Sequence, residues 1–148
     1  KDNTTPQHTH TMMTAVDACR AFLTRNRMAW QELDEGLGIA FNHRGFRFLL
    51  LDYKENDPQC FQLILPEIFQ PRADQHDSVY RVMNARNEDR KYIKLYLDEF
   101  GSVNVECQML LDPEPKLELF FFRLLESLLF EQEHFARHLR QTEEEQPA

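Results

Sequence analysis

Three residues near the C-terminal end of the chain have the spacing of a metal site. Glu131, His134 and His138 lie at positions i, i+3 and i+7, and two histidines four residues apart on a helix can share a metal ion. No HExxH pattern and no evident fourth ligand accompany them. A solvated helix face is the commoner setting for such a set, so the sequence predicts no metal site and no cofactor.

A second group that could do chemistry is the acidic cluster of Glu32, Asp34 and Glu35. Paired carboxylates can act as general acid and base when one of them is removed from water. These three flank Gly36 and are expected at an exposed turn. The serines also lack the setting of a nucleophile elbow. We therefore expect a protein without enzyme activity.

The three cysteines, Cys19, Cys60 and Cys107, are widely spaced and form no CxxC pair. That spacing argues against a zinc knuckle or a redox dithiol, and their apolar neighbours make all three candidates for small core residues. Reduced thiols fit a cytoplasmic location. No apolar stretch reaches the roughly 18 residues of a membrane span, so we expect no membrane partner.

Charge limits the partners further. The chain has 17 basic and 25 acidic residues, for a net charge of -8. Nucleic-acid affinity rests largely on basic side chains that neutralise phosphates, so no nucleic-acid partner is expected. With 42% hydrophobic residues and 12 Phe the chain can bury a substantial core. We predict a single folded domain over residues 12–140, a loose polar head at 1–11 and a charged tail at 141–148.

Three segments have the period of helices. The spacing predicts a first helix over residues 12–27, with Thr14 and Asp17 as a capping-box pair. A second helix is expected over 75–87, with Asp74 as its cap. The third follows the breaker "DPEP". Asn84 and Asn87 are expected to form a C-terminal cap or a fixed turn, because asparagine inside a helix competes for backbone hydrogen bonds.

Alternating apolar residues predict the strands between these helices. Trp30 is expected on a short first strand, and Leu37, Ile39 and Phe41 on one face of the next. The segment "CFQLILPEIF" reads as a strand that ends near Pro66, because proline cannot donate to a ladder. "KYIKLYLDE" and "GSVNVECQMLL" form a late hairpin. The order α-β-β-β-(β)-α-β-β-α with short connections predicts an α+β domain with a mainly antiparallel sheet.

The last helix carries more apolar residues than one buried face needs. Leu119, Phe122, Leu129 and Phe130 fall at the margin of that face or opposite it. Burying all four would contribute about 6–12 kcal/mol. Either other parts of the same chain cover them, or part of this second side meets another chain.

The pattern as a whole resembles the YbjN family, a bacterial family that shares a fold with the type III secretion chaperones. The likeness is carried by the segments "AVDACRAFLTRN", "GLGIAFNHRGFRFLLLDY", "CFQLILPEIF", "VMNARN" and "KYIKLYLDEFGSVNVECQMLL", and by the long helix that follows. The resemblance implies an α+β domain without enzyme activity, since relatives bind proteins or have regulatory roles. Secretion chaperones are small, acidic and usually dimeric, and they hold an extended effector segment along apolar grooves.

We therefore predict a non-enzymatic protein-interaction domain of chaperone-like or regulatory type, which acts as a homodimer and binds a protein client through apolar surface. The predicted contact residues are Leu119, Phe122, Leu129, Phe130, Tyr92 and Tyr96. The alternative is a regulatory sensor that binds a small ligand in a pocket between the sheet and the helices.

Overall fold

A computed structural model describes residues 13–53 and 56–146 of the chain. In chain order the elements are α1 (Ala15–Arg25), β1 (Trp30–Glu32), β2 (Gly38–His43), β3 (Phe46–Leu51), β4 (Cys60–Phe69), α2 (His76–Asp89), β5 (Ile93–Leu97), β6 (Val103–Leu110) and α3 (Phe121–Glu145). Short 3-10 turns at Asp34–Gly36, Ala73–Gln75 and Leu117–Leu119 precede β2, α2 and α3.

The six strands form one antiparallel sheet in the order β1-β2-β3-β4-β6-β5. Helix α2 lies between β4 and β5 in the chain, and β6 rather than β5 pairs with β4. Side chains of all three helices and of one sheet face form a single hydrophobic cluster. Buried Ala40 and Ile64, which point to the other face, lie outside that cluster. The predicted α+β class with an antiparallel sheet is confirmed.

Phe121, the first residue of α3, lies at the centre of the core. Its ring centroid is 4.9 Å from that of Phe22 on α1 and 5.8 Å from that of Phe41 on β2. The ring of Phe61 on β4 packs edge-on at 6.3 Å. One side chain thus joins two helices to the middle of the sheet, and aromatic pairs in such tilted arrangements add to the free energy of burial.

The predicted capping pair of α1 is confirmed, although the helix begins at Ala15, later than the predicted residue 12. The Asp17 backbone N–H donates to Thr14 Oγ1, and the Thr14 N–H donates to Asp17 Oδ2, both at 3.1 Å. This reciprocal pair satisfies two N–H groups that the first helical turn leaves without a partner. The predicted cap of α2 is wrong: Asp74 lies in the preceding 3-10 turn and pairs with Arg72 at 3.2 Å.

The expected end of the fourth strand at Pro66 is also wrong. Strand β4 continues to Phe69, and its register against β6 shifts between Leu65 and Phe69. Such a bulge accepts a proline because the irregular position needs no ladder donor. Glu67 adopts φ +54°, and its N–H donates instead to Asn104 Oδ1 at 2.8 Å.

Leu37 is not on the strand face predicted for it. It is 58% exposed and follows the 3-10 turn, and β2 begins one residue later at Gly38. A Cβ at Gly38 would lie 2.0 Å from the Leu50 carbonyl oxygen, and φ there is +147°. Only glycine allows this close approach of β2 and β3.

Helix α3 runs beyond Arg140, the expected end of the domain, to Glu145. Glu143 contributes to the packing of its last turns, because Gln75 Nε2 donates to Glu143 Oε1 at 3.1 Å. Residues 141–145 of the predicted charged tail therefore belong to α3.

Candidate functional site

The structure separates the six predicted contact residues. Leu129 is only 8% exposed and belongs to the hydrophobic core, so it offers little contact area. Tyr96 is half-buried on the sheet face that carries no helix core. The large exposed apolar side chains among the six are Leu119, Phe122, Phe130 and Tyr92. Their roles in binding a partner remain predictions.

Phe122 and Phe130 lie on two different flanks of α3, and Leu119 lies in the 3-10 turn before it. Phe122 faces α1 and the β2–β3 hairpin, with ring centroids 5.8 Å from Phe22 and 6.0 Å from His43. Phe130 lies on the other flank, where the Arg90 guanidinium stacks 4.8 Å from its ring centroid. Arg90 and Tyr92 line one surface pocket. The structure thus brings Phe130 and Tyr92 into one neighbourhood and leaves Phe122 in another.

The neighbourhood of Tyr92 is a cleft between α3, the end of β6 and the connection from α2 to β5. It consists of two adjacent pockets of about 260 and 290 Å³ that share Tyr92, Arg123 and Ser127. The apolar floor is formed by Met109, Phe120 and Leu124, and the rim by Asp89, Arg90, Lys91 and Arg123. We call this set of residues the α3 cleft.

Tyr92 reaches the α3 cleft through an unusual backbone conformation. Helix α2 ends at Asp89, and the chain reverses over three residues into β5. Tyr92 has φ +71° and is 62% exposed. The left-handed region costs a bulky side chain about 1–2 kcal/mol, and such strain often occurs where function requires it. The reversal directs Tyr92 to the cleft at the expense of fold stability.

The cations of the rim differ in their surroundings. Arg90 Nε lies 3.3 Å from Glu131 Oε1, so its charge is paired. Lys91 and Arg123 are exposed, and neither has an ion pair within 4.0 Å among the described residues. Two unpaired cations therefore lie beside an apolar floor in a chain whose net charge is -8.

Glu131 is the acidic partner of Arg90 at the rim of the α3 cleft. The prediction that Glu131 lies on a solvated helix face is wrong. It is fully buried, and Arg86 of α2 binds it through two nitrogen atoms at 2.7 and 3.1 Å. The hydrogen bond with Glu131 raises the pKa of Arg86. Arg86 on α2 and Arg90, which caps that helix, lie four residues apart, and this spacing was the available signal for a shared acidic partner.

The two histidines beside Glu131 are partly buried. The His134 ring lies 4.3 Å from that of Phe130, and burial together with nearby Arg86 lowers the pKa of His138. Among the described residues, no three His, Cys, Asp or Glu side chains come together as a metal-binding group.

Asn87 fixes the edge of the sheet next to the α3 cleft. The Leu95 N–H donates to Asn87 Oδ1 at 2.7 Å, and Asn87 Nδ2 donates to the Leu95 carbonyl oxygen at 3.0 Å. Both backbone groups of Leu95 thus point away from β6, and one side chain occupies them as a neighbouring strand would. The expected C-terminal cap at Asn84 and Asn87 is wrong, because α2 continues to Asp89 and Arg90 caps it. Asn84 is exposed, and only Asn87 ties the helix to β5.

The opposite face of the sheet carries a buried polar network that sequence patterns did not reveal. Glu106 is 2% exposed, and it accepts from Gln62 Nε2 at 2.5 Å and Gln108 Nε2 at 3.2 Å. Lys94 Nζ lies 2.9 Å from Glu106 Oε1, the oxygen that also accepts from Gln108, and the Tyr53 hydroxyl donates to Gln62 Oε1. Burial raises the pKa of Tyr53. These groups are therefore hydrogen-bond and ion-pair partners of one another.

A further surface groove lies between α1 and the segment before α3. It measures about 420 Å³ and is lined by Met13, Ala18, Ala21, Arg25, Pro113, Glu114, Pro115 and Leu117. We call it the α1 groove. Its lining is apolar except for one cation and one anion. It adjoins the Phe122 flank, because the Arg25 guanidinium lies 6.0 Å from the Phe22 ring that Phe122 contacts.

The fold defines an α+β domain with a one-sided layer of helices. A sequence model of the YbjN family, described as "Putative bacterial sensory transduction regulator", matches residues 15–123. The chain belongs to this family, and the resemblance noted in its sequence is confirmed. No curated protein and no solved structure matches the chain. None of the described helices is long and apolar enough to cross a membrane.

Proposed function

We propose that this protein is a regulatory, non-enzymatic domain that acts by binding another polypeptide in the α3 cleft. The observation that carries the proposal is an open groove with an apolar floor and a charged rim. Protein interfaces have this anatomy, with a desolvated apolar centre inside a polar border. The family description as a regulator supports a binding function rather than a catalytic one.

The shape of the α3 cleft favours an extended segment over a small molecule. Small-molecule sites are concave and bury most of the ligand surface, whereas the two pockets here are open and lie side by side. Leu124 in the floor is 4% exposed and fixed in the core. A segment laid along such a groove can place one apolar side chain on the floor while its backbone stays near the rim.

Selection from a displayed library of random peptides tests this proposal. The wild-type chain is compared with Ser127→Trp, which fills the cleft from α3, and with Ser127→Ala, which leaves it open. We expect peptides that bind the wild type and Ser127→Ala but not Ser127→Trp, with similar thermal unfolding for all three. Absence of enriched peptides, or binding that Ser127→Trp leaves unchanged, contradicts the proposal. Stabilisation of the wild type by small organic acids in the absence of enriched peptides would favour the small-ligand alternative.

The proposal includes a homodimer formed through the α1 groove. The groove carries Arg25 on one wall and Glu114 on the other, so its charge is balanced within a chain of net charge -8. In a twofold interface each residue meets its counterpart set on the partner, so Arg25 of each copy can pair with Glu114 of the other. Exposed Leu119 and Phe122 extend the apolar area beside the groove.

Sedimentation equilibrium of charge variants tests the homodimer. Arg25→Glu and Glu114→Arg should each weaken association, because each places like charges across the twofold axis. The double variant restores opposite charges and should restore association. Tyr80→Glu, an exposed change on α2, is the control. A strictly monomeric wild type, or a double variant as weak as the single ones, contradicts this interface.

We propose further that the protein acts in the cytoplasm. Its three cysteines are free, and burial raises the pKa of Cys19 and Cys107 to about 12. Thiols of this kind fit a reducing compartment. The net charge of -8 supports protein partners over nucleic acid or an anionic membrane.

A further inference from the structure

We infer that the α3 cleft selects an acidic segment of its partner, in which carboxylates flank one large apolar side chain, an inference that rests on the proposed polypeptide binding. The occupant is defined by two features of the cleft. The rim supplies cations without acidic partners, and the floor supplies apolar area for a single anchor.

The positive charge on the rim determines the sign of the charge expected on the partner segment. Lys91 and Arg123 lie on opposite walls, one on the connection between α2 and β5 and the other on α3. No carboxylate of the described residues lies within 4.0 Å of either cation. The single acid of the rim, Asp89, is engaged by Arg86 at 3.5 Å. A partner carboxylate would therefore meet two available cations and no unpaired anion of the rim.

Arg90 adds a donor group that is held in place. Glu131 binds its Nε side at 3.3 Å, and the guanidinium plane is supported by the Phe130 ring at 4.8 Å. A guanidinium carries five N–H donors in a rigid fork, so contact with Glu131 leaves other donors for a second carboxylate. A pre-positioned arginine loses little conformational freedom when it binds, which favours carboxylate recognition at this point.

The floor sets the apolar part of the partner. Met109, Phe120 and Leu124 line a pocket of about 260 Å³, and Tyr92 stands beside it with an exposed ring. Methionine and aromatic side chains are enriched where interfaces bury an anchor. One bulky side chain between carboxylates can therefore occupy the floor while its neighbours reach the rim.

The same peptide selection tests this inference through the composition of the peptides. Peptides enriched by the wild-type cleft should carry net negative charge and at least one large apolar residue. The double variant Lys91→Glu with Arg123→Glu should bind the best wild-type peptide about tenfold more weakly or worse. The matched control is Arg137→Glu with Arg140→Glu, which reverses two exposed charges on α3 outside the cleft and should change affinity less than about twofold.

Each outcome separates the inference from the function on which it rests. Enriched peptides that are neutral or basic, and whose binding is lost in Ser127→Trp, contradict the inference of an acidic partner but support polypeptide binding. The inference is also contradicted if the affinity of acidic peptides is unchanged by the double variant Lys91→Glu with Arg123→Glu, or falls equally in the control. A selection without enriched peptides overturns both.

Discussion

Removing the charge of Glu131 is the sharpest perturbation of the α2–α3 junction. The change Glu131→Gln keeps the size of the side chain and one carbonyl acceptor. It removes the acidic partner of Arg90 and leaves Arg86 with Asp89 alone, at 3.5 Å. Glu131 is fully buried, whereas the Arg86 and Arg90 side chains retain 13% and 27% of their exposure. The two cations sit at the edge of the buried region and can recover part of their hydration.

The magnitude follows from this geometry. Breaking a buried ion pair by removing one partner costs about 3–5 kcal/mol. The retained amide oxygen of glutamine and the partial access of both arginines to water place Glu131→Gln nearer to about 2–3 kcal/mol. That is a large part of the roughly 5–15 kcal/mol by which a domain of this size is stable.

Urea unfolding followed by circular dichroism measures the effect, with equal m-values as the sign that the same state unfolds. Glu133→Gln is the matched control, because Glu133 lies on the exposed side of the same helix with its side chain 74% exposed. It should change the free energy of unfolding by less than about 0.5 kcal/mol. A loss below about 1 kcal/mol for Glu131→Gln would refute the reasoning that the buried carboxylate holds both arginines.

Three further predictions follow from contacts elsewhere in the fold. Asn87→Ala leaves both Leu95 backbone groups at the β5 edge without their partner. Urea unfolding should therefore show a free energy of unfolding lower by about 1–3 kcal/mol, and light scattering should show more aggregation. An unchanged unfolding midpoint would contradict this role. Burial and Arg86 lower the pKa of His138 below its usual 6.5, so the stability this group contributes is complete above pH 6.5 and is lost as pH falls through the lowered value. His138→Gln should therefore reduce the acid-dependent fall in unfolding free energy, and an identical fall in the variant would exclude the effect. Cys60, the half-buried thiol, should react with a disulfide reagent in the native state before the two buried thiols, which should react only after unfolding; simultaneous labelling would contradict the burial order.

Local patterns were enough to predict most of the fold. The capping pair of Thr14 and Asp17 has a fixed sequence spacing, and alternation along β2, β3 and β6 depends only on one buried face of the sheet. The prediction that the strand ends at Pro66 was wrong because the effect of a proline depends on the register of its strand against the neighbouring strand. The rule that proline ends a strand does not apply at a bulge, and the bulge is defined by pairing with β6.

The site was less accessible to sequence reasoning because distant segments form it. Helical spacing placed Leu129 at the margin of the α3 face, but in the folded chain it is buried and belongs to the hydrophobic core. Glu131 was predicted to be solvated because its partner Arg86 lies 45 residues earlier in the chain, beyond the reach of helical spacing. The α3 cleft combines residues 89–92, Met109 and residues 120–127, and no local period links these three segments.

Chemical-shift mapping of the wild-type chain with its best selected peptide tests polypeptide binding at the α3 cleft most directly. The account predicts backbone amide shifts concentrated in residues 89–92 and 120–127, which disappear when Ser127→Trp fills the cleft. Shifts confined to α1 or to the helix-free face of the sheet, with those two segments unperturbed, would contradict it.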